Sequence, residues 1–118
     1  MKYMLLVYLD EQALGESEYE HCYVESAQLA RELNATGRYL DASPLHPVAT
    51  ATSVRVRDGK PVVTDGPFAE TREQLGGYYL IEANDLDEAI VIAEKIPPAR
   101  FGTIEIRPVM EIGGLPAN

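Results

Sequence analysis

The sequence of 118 residues contains no tryptophan and a single cysteine, Cys22. One thiol excludes an internal disulfide and suits a reducing compartment, so we expect a cytoplasmic protein. No apolar run approaches the ~18 residues of a membrane-spanning helix. The opening MKYMLLVYLDEQ lacks a small-residue cleavage site and runs into acidic residues, so we interpret it as a first strand rather than a signal peptide.

Basic residues are scarce as well, since 10 Lys and Arg face 19 Asp and Glu, for a formal net charge of -9. Nucleic acids and anionic membrane surfaces both bind basic faces, so we expect neither as a partner. The length and the hydrophobic share of 46% are enough for one core. We therefore expect a single domain over residues 1–118.

Motifs of the common cofactor sites are missing too. The chain has no GxGxxG, no P-loop, no zinc-ligand spacing and no GxSxG, so we expect no cofactor. Asp65, Glu70 and Glu73 lie close together in sequence, but no histidine is near them and their spacing matches no standard metal loop. A metal site is therefore not expected.

What is present is a regular succession of strands and helices. KYMLLVYL, RYLDASPL, GGYYLIEA and GTIEIRPVM are strand-like runs. The stretch EYEHCYVESAQLARELNATG has apolar residues at helical spacing, with Ser17 and Glu20 as a capping box and Gly37 at the far end. NDLDEAIVIAEKIPPA predicts a second helix, capped by Asp85 with Glu88.

Between the second strand and GGYYLIEA, the segment TSVRVRDGKPVVT predicts a β-hairpin. Asp58-Gly59 is typical of a two-residue type I′ turn. The alternation predicts that Val54 and Val56 face the core, while Arg55 and Arg57 face the other way.

With the hairpin counted as one element, the resulting order, β-α-β-β-β-α-β, predicts an α+β sandwich of ferredoxin-like type. Two helices can cover only one face of its sheet, yet the first strand is apolar on both faces. We therefore predict a homodimer through the sheet face, of the dimeric α/β barrel type, because an exposed apolar sheet would exceed what monomers usually tolerate.

The segment VTDGPFAETREQLGGYYLIE permits two interpretations. As a connection, Asp65 forms an Asx turn, Phe68 anchors the loop, and Thr71–Gln74 is a capping box for a single helical turn over REQL. As a small-molecule site, the loop is rigid and lies on the sheet rim, where sites tend to be built.

The site hypothesis brings together carboxylates, an arginine and a phenol. Asp65, Glu70 and Glu73 would converge near Arg55 or Arg57, with Tyr78 beside them. Pro67 and Phe68 complete the candidate substrate-binding residues. His21 is the candidate partner of Asp65 in acid–base catalysis, because histidine titrates near neutral pH.

The stretch VRVRDGKPVVTDGPFAETREQLGGYYLIEANDLDEA resembles the DGPF-domain branch of the YCII-related family, and the likeness extends from KYMLLVY to EIRPVM. The resemblance implies a ferredoxin-like bacterial protein of the cytosol that dimerises through its sheets, often encoded beside extracytoplasmic-function sigma factors. It also implies a histidine–aspartate pair over a pocket. His21 lies earlier on the helix than the histidine of the family. At the place expected for that histidine, this chain has Tyr23 and Ser26.

Three functions stay open at this point. The chain could be an enzyme that performs acid–base, lyase-like chemistry on a small polar or aromatic substrate, with Asp65 as acid or base. It could be a ligand-sensing or partner-binding module linked to a sigma factor. It could also be a purely structural dimer.

Overall fold

The computed structural model describes residues 1–116. Within them, six strands and two α-helices follow in the predicted order, and two short 3₁₀ helices lie at Val48–Thr50 and Pro97–Arg100. The elements are β1 (Lys2–Leu9), α1 (Glu16–Ala35), β2 (Tyr39–Pro44), β3 (Thr52–Arg57), β4 (Lys60–Asp65), β5 (Gln74–Glu82), α2 (Leu86–Glu94) and β6 (Thr103–Pro108). Neither helix has the length and apolarity needed to cross a bilayer.

The main sheet has four antiparallel strands in the order β2-β5-β1-β6. Both helices pack on one face of this sheet, since the core joins α1 and α2 to the same alternate residues of β1 and β5. The predicted ferredoxin-like α+β sandwich is therefore confirmed.

The core lies between the sheet and the helices. Along β1, every second residue is buried, and Leu5 at the centre is 0% exposed, as is Ile81 of β5. The same strand turns half-buried residues to the opposite, outer face. The apolar residues there are Met4, Leu6 and Tyr8 of β1 and Leu80 of β5. The expectation of a first strand that is apolar on both faces is thus met.

The helix ends follow from local hydrogen bonds. The cap of α2 is as predicted, because the Glu88 amide donates to Asp85 Oδ1 at 2.9 Å. The cap of α1 differs from the prediction, since the helix begins after Gly15 and not after Ser17. The Gly15 amide donates to Glu18 Oε1 at 3.1 Å, so Glu18 takes the place expected for Glu20.

Strands β3 and β4 form a separate two-stranded sheet, which we call the arm (residues 52–65). Its turn is the predicted type I′, with positive φ of 52° at Asp58 and 75° at Gly59. The prediction that Val54 and Val56 face the core is wrong for the protomer, because each is 63% exposed.

The reason is that β3 and β4 pair only with each other and project from the end of the main sheet. The arm also explains the molecule's extended shape. The radius of gyration is 16.0 Å, above the roughly 13–14 Å of a compact chain of this length.

Leu5→Ala should lower the free energy of unfolding by about 3 kcal/mol, because it leaves a cavity at the fully buried centre of β1. Val91→Ala on the exposed side of α2, where Val91 is 51% exposed, should change it by no more than about 0.5 kcal/mol. Urea unfolding followed by circular dichroism measures both. Equal losses in the two variants would contradict the placement of the core.

Candidate functional site

A cavity of about 410 Å³ lies between α1 and the edge of the main sheet. Its helical wall consists of residues at the helical spacing of one face, and its other wall is formed by β2, β5 and the end of β1. The lining residues include Leu9, Tyr19, Cys22, Tyr23, Ser26, Ala27, Ala30, Arg31, Tyr39, Ser43, Pro44, Gly76, Gly77, Tyr78 and Tyr79.

Two glycines form part of the sheet wall of this cavity. A Cβ on Gly77 would lie 3.0 Å from the Ser43 carbonyl oxygen, and one on Gly76 would lie 2.5 Å from Leu9 Cδ2. The register of β1 against β5 shifts beside them, between Val7 and Tyr8. Side chains at the two glycine positions would therefore have to displace β2 or the core.

A second cavity, of about 470 Å³, adjoins the first under the loop between β1 and α1. The two cavities share Leu9, Tyr19, Tyr23 and Gly76, so we describe them together as the α1 cleft. The rings of Tyr19 and Tyr23 lie at the junction, with centroids 6.2 Å apart and planes tilted by 31°.

Two phenols fix the walls of the α1 cleft. Tyr79 donates a hydrogen bond to the Ser26 carbonyl oxygen at 2.8 Å, which ties β5 to α1. Tyr19 donates to the Glu11 carbonyl oxygen at 2.6 Å, which ties α1 to the preceding loop. Burial is the main cause that raises the pKa of both phenols, so both stay protonated donors at neutral pH.

A third phenol bonds to a carboxylate. Tyr78 donates to Asp41 Oδ2 on the neighbouring strand β2 at 2.8 Å. This hydrogen bond, followed by partial burial, raises the pKa of Tyr78, since it favours the neutral phenol over a phenolate beside Asp41. Tyr78 is opposite Leu6 and Asp41 is opposite Leu80, so the pair lies on the outer face of the sheet, away from the side that α1 covers.

The thiol of Cys22 also lines the cleft, and the residue is 7% exposed. Burial raises the pKa of this thiol, and the charge of Glu25 raises it further. Cys22 is therefore protonated at neutral pH, which makes it a weak nucleophile. Cys22 is therefore a small buried residue of the cleft wall.

The sequence-predicted residues of the DGPF segment lie outside the cleft. Asp65 ends β4 at the base of the arm and is exposed, and Glu70 is exposed as well. Phe68 is 80% exposed, so it does not anchor the loop in the protomer. Pro67 beside it is only half-buried. Of the candidate substrate-binding residues in the described chain, only Tyr78 contributes to the cleft wall, and its side chain is on the outer face of the sheet.

The carboxylates and arginines of this segment bind elsewhere. Glu73 Oε1 accepts a hydrogen bond from Thr103 Oγ1 at 2.7 Å, and Arg72 forms an ion pair with Asp10 at 3.5 Å. In residues 1–116, no ion pair joins Arg55 to a carboxylate. Nor does any group of three His, Cys, Asp or Glu there have the arrangement of a metal site.

The helical turn predicted at Thr71–Gln74 is wrong, because Gln74 already begins β5. The Thr71 hydroxyl donates to the Glu73 carbonyl oxygen at 2.6 Å, and the Gln74 side-chain amide donates to the Thr71 carbonyl oxygen at 2.6 Å. These local side-chain bonds hold a non-helical bend instead.

His21 lies on α1 but on its exposed side, with 77% of its side chain accessible. Its Nε2 is 3.1 Å from Glu25 Oε1. Arg100 binds the same carboxylate through two nitrogens at 3.2 and 3.3 Å, which lowers the pKa of Glu25. Tyr23 and Ser26, by contrast, line the cleft.

The cleft residues on α1 were visible in the sequence as a stripe at helical spacing, which is typical of a core face. In the structure, the middle of this stripe covers a cavity rather than packed side chains. The signal that could have distinguished the two is Gly76-Gly77, because adjacent glycines in a strand mark a place where neighbouring groups approach the backbone closely.

Comparisons with known proteins agree with this fold. The model of the YCII-related domain matches residues 1–113. An uncharacterized protein of Rhizobium meliloti (strain 1021) is 39% identical, over 92% of each chain. The solved structure of 5-chloro-2-hydroxyhydroquinone dehydrochlorinase from Burkholderia phenoliruptrix, in complex with 2,5-dihydroxybenzoquinone, is 12% identical. It has a TM-score of 0.56 and covers 93% of this chain and 94% of its own.

Asp41→Asn should lower the pKa of Tyr78, because it removes the carboxylate whose hydrogen bond and charge favour the neutral phenol. The pKa of Tyr79 is raised chiefly by burial, so it should not move and serves as the internal control. NMR of protein with ¹³C-labelled tyrosine, followed from pH 8 upward, measures both. An unchanged Tyr78 would show that the Asp41 bond is absent in solution.

Proposed function

The chain belongs to the YCII-related family, and on that premise we propose that it binds a small aromatic molecule in the α1 cleft. The observation that carries this proposal is the first cavity itself. Its 410 Å³ lies within the roughly 300–1,000 Å³ of small-molecule sites, and apolar walls with a few polar groups are typical of them.

The lining favours a flat ring as the ligand. Five tyrosines contribute to it, and the glycine pair leaves the sheet wall without side chains. Aromatic rings pack in offset or tilted arrangements, as Tyr19 and Tyr23 do with each other. The dehydrochlorinase of the same fold, described with a bound dihydroxybenzoquinone, supports hydroxylated rings as the first probes.

Tyr78 and Asp41 form their 2.8 Å hydrogen bond on the outer face of the sheet and not in the cleft, so we assign no acid–base pair to the α1 cleft. The catalytic pair Asp65 and His21, inferred from the sequence, is a separate hypothesis that places lyase-like chemistry at the DGPF loop. A ligand sensor, including one linked to a sigma factor, would use the same cleft without turnover, so conversion of the bound ring distinguishes the two functions.

Ala27→Phe should weaken binding of phenols and catechols at least 10-fold, because Ala27 lines the cleft and is exposed, so the new ring occupies ligand space without disturbing the core. Gln28→Phe is the matched control, since Gln28 is the exposed neighbour of Ala27 and does not line the cleft. Thermal-shift titration with a panel that includes 2,5-dihydroxybenzoquinone measures the affinities.

Labelling of Cys22 is a second, independent measurement of ligand binding, because Cys22 is the chain's single thiol and lines the cleft. A bound phenol should slow the labelling of Cys22 by iodoacetamide, as followed by mass spectrometry. Binding that is equal in both Phe variants and leaves Cys22 labelling unchanged would place the ligand elsewhere.

We also propose that two copies pack through the outer face of the main sheet. Met4, Leu6, Tyr8 and Leu80 form its centre and have no helical layer over them among the described residues. A two-fold axis through this face would bury it against its own copy. Such burial removes apolar surface from water at roughly 25 cal/mol per Å².

Leu80→Arg should weaken the dimer at least 100-fold, because two charged side chains would then face each other near the two-fold axis. Val91→Arg, on the exposed side of α2, is the control and should leave the dimer intact. Analytical ultracentrifugation of the 13.0 kDa chain distinguishes one copy from two. A wild-type monomer at tens of micromolar would refute the proposed sheet contact.

A further inference from the structure

The two faces of the arm differ in chemistry. Its register places Val54 opposite Val63 and Val56 opposite Pro61, and directly opposed residues share a face. We call this set the valine face; its three valines are 63–64% exposed. Arg55, Arg57 and Lys60 alternate with them on the other face.

Two hydrogen bonds close the base of the arm, and a third joins it to the body. The Gly66 amide donates to the Ala51 carbonyl oxygen at 2.7 Å, and the Ser53 hydroxyl donates to the Gly66 carbonyl oxygen at 2.8 Å. On the side where the chain enters the arm, the Val48 amide donates to Glu11 Oε2 at 3.0 Å. The valine face has no layer over it in the described protomer.

An isolated two-stranded ribbon is at best marginally stable in water, and an apolar face is stabilised only when something covers it. The net charge of the arm favours a second copy as the occupant. Residues 52–65 carry three of the chain's ten basic residues and two of its 19 acidic residues, which leaves 7 basic and 17 acidic residues in the rest of the chain. A second copy therefore attracts the arm at long range, while Arg55, Arg57 and Lys60 themselves lie on the face opposite the valines.

The area of the proposed sheet contact leads to the same partner. A four-stranded face whose edge strands are six residues long measures about 19 by 20 Å, or roughly 400 Å². A standard interface buries about 800 Å² per partner. Each two-stranded arm provides roughly 200 Å² and covers as much on its partner, which brings each subunit to about 800 Å².

We propose that the arm lays its valine face on a second copy of this chain, so that each subunit of the dimer is clasped by the other's arm. The inference rests on the proposed sheet-to-sheet dimer and not on ligand binding. Asp65 is opposite Thr52 and shares the valine face. The clasp therefore also brings the DGPF carboxylate, followed by the exposed ring of Phe68, towards the partner.

The test replaces Val54 and Val63 together by threonine, which keeps strand propensity and shape but buries hydroxyls in the clasp. The dimer dissociation constant, from sedimentation or light scattering, should rise at least 100-fold. Val62→Thr is the control, because Val62 lies on the opposite face of the same strand; it should change that constant less than 3-fold. Circular dichroism checks that each variant is folded.

Hydrogen exchange on the unaltered chain is the second measurement. Amides 52–65 should be protected at concentrations where the dimer forms and should exchange faster on dilution. If the wild type is a dimer and the Val54/Val63 variant dimerises as well as Val62→Thr, the clasp is wrong while the sheet contact stands. Concentration-independent exchange of the arm likewise overturns the clasp, and neither result bears on ligand binding in the α1 cleft.

Discussion

The structure depends on one imbalance: its sheet is apolar on both faces, but the chain supplies helices for only one. Burying alternate residues of β1 and β5 against α1 and α2 uses the whole helical layer. Met4, Leu6 and Leu80 are left on the other face, half-buried by their neighbours. Because hydrophobic stabilisation scales with the area removed from water, this face favours association with another surface.

The α1 cleft follows from a second local conflict, between close strand approach and a continuous core. Gly76 and Gly77 allow the start of β5 to lie against Leu9 and Ser43 where a Cβ would clash. The two glycines form part of the wall of the cavity under α1. Tyr79 and Tyr19 then hold the helix at a fixed height through bonds to the Ser26 and Glu11 carbonyl oxygens. A cavity held open by hydrogen bonds is better preorganised for a ligand than one that depends on soft packing.

The sequence predicts the element order, the hairpin turn and the cap of α2, because each depends on neighbours within a few residues. The type I′ turn requires only positive φ angles at Asp58 and Gly59, and the cap of α2 requires only that the Glu88 amide donates to Asp85. The hairpin's orientation could not be predicted, because alternation in Val54 and Val56 shows that one face is apolar but not what that face meets. The cleft could not be predicted for the same reason. Tyr19, Cys22 and Tyr23 have the helical spacing that is typical of a packed core face, and in the structure they line a cavity together with the distant Gly76 and Gly77.

The position of Asp65 connects these points. A carboxylate changes the chemistry of a site only when a second group or a low dielectric surrounds it, and in the protomer Asp65 is exposed at the base of the arm. It shares the exposed valine face. The residues that make the DGPF segment unusual, from Asp65 to the exposed Phe68, therefore adjoin the surface that we propose to meet a second copy. With that contact made, their chemistry is a property of the pair of chains, while the proposed ring binding in the α1 cleft requires only one.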